Sequence, residues 1–108
     1  MFSFCIFLKS LNINNFETFL VFNMTGMFYY CTSLESINLS GFVTSSVVSM
    51  ALMFAECTSL ISLDLSNFVT AAVKSFFFIF YNCIKLEYLN LNHFYTKKLD
   101  EQDPDPIN

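Results

Sequence analysis

Four cysteines stand at positions 5, 31, 57 and 83, three equal steps of 26 residues. Leu8, Leu34, Leu60 and Leu86 keep the same step, as do Phe16, Phe42, Phe68 and Phe94. So do Thr18, Thr44, Thr70 and Thr96, and Ile13, Leu39, Leu65 and Leu91 complete the register. Such a period means stacked units, because one short unit cannot bury its own apolar face and must share a core with its neighbours. The array divides into a half repeat at 1–10, full repeats at 11–36, 37–62 and 63–88, and a partial repeat at 89–99. An acidic, proline-containing tail at 100–108 follows it. The opening MFSFCIFL falls into register too, with Met1 and Phe2 matching Met27 and Phe28. It is therefore expected to be the end of a repeat, and no signal peptide is visible: a basic leading region and a small-residue cleavage site are both missing.

Two spacings alternate within a repeat. In SINLSG, Ile37 and Leu39 are apolar while Ser36, Asn38 and Ser40 are polar, the alternation of a short half-buried strand. After Phe42 the apolar set is Val47, Met50, Met53, Phe54 and Cys57, spaced three, three, one and three. That spacing predicts one face of an amphipathic helix, with Thr44, Ser45 or Ser46 as its N-cap. Strands separated by such crossovers must run parallel. Strands pack about 4.8 Å apart and helices need roughly 10 Å, so the stack should curve with its strands inside. The predicted fold class is α/β: a leucine-rich-repeat solenoid with short parallel strands on the concave side and short helices on the convex side.

Composition narrows the functions. At 55% hydrophobic and 13% charged the chain is no disordered segment. Five Lys+Arg build no basic patch, which argues against nucleic acid. No window reaches the roughly 18 apolar residues of a spanning helix, so no transmembrane segment is expected. No Ser-His-Asp set, paired carboxylates or glycine-rich phosphate loop is present, and His93 has no ligand-spaced companion. The chain is expected to be no enzyme, with no catalytic residues, no cofactor and no metal. The cysteines lack the close pairing of zinc sites. A buried structural column of free thiols and a set of disulfides between stacked repeats both stay open.

The exposed strand positions are the candidate binding face: Ser36, Asn38 and Ser40, then Ser62, Asp64 and Ser66, then Tyr88, Asn90 and Asn92. Amides and hydroxyls at regular spacing suit a peptide backbone or a glycan, and a solvated sheet face would carry the same residues. Phe19, Leu20, Phe22, Leu52, Phe77, Phe78 and Tyr81 fall outside the core phase: they are expected first to pack between neighbouring helices, with an exposed partner surface or a decaying repeat as the alternatives.

The pattern L-x-x-[IL]-x-L-S-x-F-x-T-x-x-V-x-x-M-x-x-M-F-x-x-C-x-x-L runs through residues 34–60 and, with drift, through about 100 residues. It resembles the BspA-like leucine-rich repeats of bacterial and protist surface proteins. The resemblance implies a non-enzymatic recognition module for a protein or glycan, of the kind used in adhesion, at the cell surface or secreted. The alternative is a purely structural repeat segment that docks on further repeats, with no ligand of its own. In either case the N-terminal edge, near Leu11 and Ile13, is a candidate for self-association.

Overall fold

The computed structural model describes residues 3–13, 18 and 20–94. The partial repeat beyond Phe94, the acidic tail and Phe19 lie outside the described residues. Four three-residue strands recur at the sequence step: β1 (Ser10–Asn12), β2 (Ser36–Asn38), β3 (Ser62–Asp64) and β4 (Tyr88–Asn90). β1 pairs parallel with β2, Leu11 opposite Ile37, and β3 pairs parallel with β4, Leu63 opposite Leu89. The central residues of β1, β2 and β3 turn inward, as the alternation of apolar and polar residues requires, whereas Leu89 of β4, in the last described strand, is exposed. Past the strands, Leu39 and Leu65 are buried in the same column.

The expected convex helices are absent among the described residues. In their place each repeat runs through consecutive tight turns whose main-chain bonds alternate in direction. The N–H groups of Met27, Tyr29 and Cys31 return to the carbonyls three residues back, at 3.0–3.3 Å. Those of Gly26, Phe28 and Tyr30 go sideways, to the carbonyls of Ala51, Met53 and Ala55 in the next repeat. Leu52, Phe54 and Glu56 do the same toward Phe77, Ile79 and Tyr81, at 2.7–2.9 Å. Local and lateral bonds together satisfy a backbone that a helix would have satisfied within itself.

Spacing explains why turns replace helices. Phe28, Phe54 and Phe80 stack face to face on the turn side, with ring centroids 5.5 and 6.0 Å apart. Phe42, Phe68 and Phe94, beyond the strands, stack at 6.2 and 6.4 Å. Both sides of the core thus advance by nearly the same small step. Packed helices sit about 8–10 Å apart and would force the turn side open. The argument for a curved stack, which rested on helix width, falls with the helices.

The inward positions nevertheless follow the phase that the spacing predicts. Val47, Met50, Met53, Phe54 and Cys57 are all fully buried, and they form one core cluster with Met24, Phe28, Leu34, Leu60 and Phe76. Thr44, expected as a helix cap, is instead buried: its hydroxyl accepts from Val69 N–H at 2.8 Å and donates to Val69 C=O at 2.9 Å. Thr18 treats Val43 in the same way, at 2.7 and 3.1 Å. A threonine column thereby replaces a main-chain pair between repeats.

With no helix among the described residues the off-phase residues do not pack between helices; Leu52 and Phe78 are half-buried. Leu20 and Phe22 are 76% and 64% exposed, and Phe77, Phe78 and Tyr81 stack on one another at the surface. No described helix is long and apolar enough to cross a membrane.

Candidate functional site

The strand side presents its polar residues in columns. Ser36, Asn38, Ser40, Ser62, Asp64, Tyr88 and Asn92 are exposed, and Ser66 and Asn90 are half-buried. The middle column does structural work that its residue types permit. Asn38 Oδ1 accepts the amide of Ser40 at 3.0 Å, Asp64 Oδ1 that of Ser66 at 2.9 Å, and Asn90 Oδ1 that of Asn92 at 3.0 Å. Each closes the chain two residues on and ends the strand, the turn that short Asn and Asp side chains favour.

The strand wall is divided. β1 and β2 form one sheet and β3 and β4 another. Ile61 N–H reaches Glu35 C=O at 3.1 Å just before β2 and β3, which then continue in separate sheets. Between them lies a cleft of about 260 Å³ lined by Ile37, Asn38, Leu39, Ser40, Asp64, Ser66 and Asn67. Four of the nine expected face residues (Asn38, Ser40, Asp64 and Ser66) meet there. Tyr88, Asn90 and Asn92 stand on the far side of β3, with Asn90 Nδ2 donating to the Tyr88 hydroxyl at 3.5 Å.

Asn67 is a residue that sequence reasoning passed over. Its Nδ2 donates to the carbonyls of Leu39, Ser40 and Phe42 at 3.0, 3.3 and 3.2 Å, tying two repeats together at the end of the cleft. His93, one step later in the column Gly41, Asn67, His93, uses Nδ1 on the Ser66 carbonyl. The readable signal was a polar residue repeated where the chain turns.

Electrostatics single out Asp64. Hydrogen bonds from the Ser66 hydroxyl and then the Ser66 amide hold its carboxyl below the usual value, so it is ionised at neutral pH. A larger hollow, about 500 Å³ beside Phe68, Val69, Thr70 and His93, opens at the last described residues.

The cysteines form a second column, and no disulfide joins them. Cys57 Sγ donates to Phe28 C=O at 3.2 Å and Cys83 Sγ to Phe54 C=O at 3.1 Å. Burial pushes the Cys31 and Cys57 thiols up, and Cys83 up to about 11. They are protonated at neutral pH and unsuited to nucleophilic attack. No group of three or more metal-ligating side chains occurs among the described residues.

One family accounts for nearly the whole chain. Residues 1–103 match the family described as Mycoplasma protein of unknown function, DUF285. The chain belongs to the DUF285 family. No curated protein and no solved structure matches it.

Proposed function

We propose that this chain is a segment of a leucine-rich-type repeat solenoid, acting as a non-enzymatic recognition module for a protein or glycan at a cell surface. The observation that carries the reading is the strand side, where exposed amides and hydroxyls recur at the repeat step above inward leucines. Repeat arrays bind through such extended faces, since each added repeat enlarges the contact area.

The test must spare the strand-ending turns, which removes Asn38 and Asp64 as truncation sites. Ser36 and Ser62 are exposed on the same face and precede those turns. Ser36→Arg with Ser62→Arg should abolish binding to immobilised mucin glycoprotein or to its deglycosylated form, with the melting temperature unchanged. Loss of binding on deglycosylation would mark the ligand as a glycan. Binding that survives the double change would overturn the strand-face assignment.

A second reading has one observation in its favour. Among the described residues β1 pairs as a strand with β2, and Phe7 near that edge is 88% exposed. A strand edge beside exposed apolar side chains is a docking surface for another repeat, of this chain or a second copy. Association that depends on concentration, with no ligand response on the strand face, would favour this structural role.

A further inference from the structure

The strand-ending turn is the same in three repeats, and only one of them carries a charge there. Asn38 and Asn90 hold the amide two residues on as well as Asp64 does, at 3.0, 3.0 and 2.9 Å. A carboxamide therefore suffices for the fold at this position, and the negative charge of Asp64 is surplus to it. That charge stands where the strand wall divides, at the cleft between β2 and β3. At about 260 Å³ the cleft falls below the roughly 300–1,000 Å³ that encloses a drug-sized ligand. It suits a single side chain.

Its walls have the form that a long cationic side chain needs. Half-buried Ile37 offers apolar surface to an aliphatic stem. Asp64 offers a fixed anion, and Asn38 and Ser40 line the same cleft. Among the described residues, no Lys lines the cleft to neutralise Asp64 from within.

We propose that the cleft between β2 and β3 receives a lysine or arginine side chain from an extended segment of a partner protein, with Asp64 as its counter-charge. The proposal rests on the strand-face reading above and names the chemistry of its ligand. A partner bound this way lays its backbone along the polar columns and anchors one cation between the two sheets. Charge-assisted hydrogen bonds make that anchor the strongest polar contact available on the face.

The test uses three blocked pentapeptides, Ser-Ser-Lys-Ser-Ser and its counterparts with central Glu or Leu, titrated into the isotope-labelled full chain at low salt. The lysine peptide should shift the amides of residues 37–40 and 64–67, and the other two should leave them in place. Asp64→Asn keeps the turn oxygen, so its melting temperature should hold while lysine-peptide affinity falls about tenfold or more. Undiminished binding by Asp64→Asn would overturn the proposal, as would shifts confined to other residues. Shifts of the same amides by the Glu or Leu peptide alone would also overturn it, while leaving the strand face as a binding surface. No shift with any peptide would overturn the cation site, and the glycoprotein experiment would decide the wider reading separately.

Discussion

Leu65 and Ser66 are neighbours in the chain and face opposite sides of the strand wall. Leu65 is fully buried, whereas Ser66 lines the cleft. Leu65→Ala should cost about 2–5 kcal/mol in denaturant unfolding, the usual range for a buried leucine. Ser66→Ala should stay within about 0.5 kcal/mol. Equal costs would mean that the inward and outward faces are exchanged. Backbone conformation carries a second residue-scale prediction. Gly26, Leu52 and Phe78 share one column at φ 62°, 59° and 53°, and Tyr30, Glu56 and Asn82 share another at φ 63–65°. A Cβ on Gly26 would meet only Tyr29 Cβ, at an ordinary 3.6 Å, so Gly26→Ala should cost backbone strain alone, about 1 kcal/mol. The cysteines yield a third. No disulfide joins the four cysteines, so mass spectrometry should count four labels after alkylation in denaturant without reductant, and slow labelling of the buried thiols before it. The Cys83 thiol is raised from near 9 to about 11 by burial, so the folded state favours its protonated form. Its contribution to stability is complete below pH 9 and is lost as pH rises toward 11, a decline that alkaline unfolding curves should show.

At the scale of elements, the four strands and the burial phase of the following stretch were legible, and the type of that stretch was not. The spacing of Val47, Met50, Met53 and Cys57 places these residues inward in a helix and in a run of three-residue turns alike. The deciding bonds, such as Phe28 N–H to Met53 C=O, join different repeats, and no window of one repeat contains both partners. Two local signals spoke against a helix: Gly26 and Asn82 stand inside the helical pattern, at positions of positive φ that both residues tolerate. The strand-face residues were legible as polar and outward, but the turn bonds of Asn38, Asp64 and Asn90 were not. Asx side chains reach the backbone only once the chain turns behind them. The division between β2 and β3, and with it the cleft, has no counterpart in a sequence whose register runs unbroken through both. The outer strand of the first pair leads to an element-scale prediction. Light scattering on a dilution series should show mass rising with concentration, and Ser10→Lys on β1 should shift the chain toward monomer, because charge along an edge opposes pairing. A chain that stays monomeric throughout would remove β1 as a docking edge.

On the scale of the whole molecule, the account joins a narrow step between repeats to a polar face that repeats with it. Net charge is −4, and a cationic partner segment would be drawn to it at low ionic strength. Lysine-peptide affinity should therefore fall as salt rises, and for Asp64→Asn it should respond less. Everything on the face depends on the repeats being held in register on both walls, by strands on one and by sideways turn bonds on the other. Scalar couplings across hydrogen bonds in the NMR spectrum test this directly. The account predicts couplings from Gly26 N–H to Ala51 C=O, from Phe28 to Met53, from Leu52 to Phe77 and from Phe54 to Ile79. Couplings from these amides to carbonyls four residues earlier in the same repeat would show helices and contradict it.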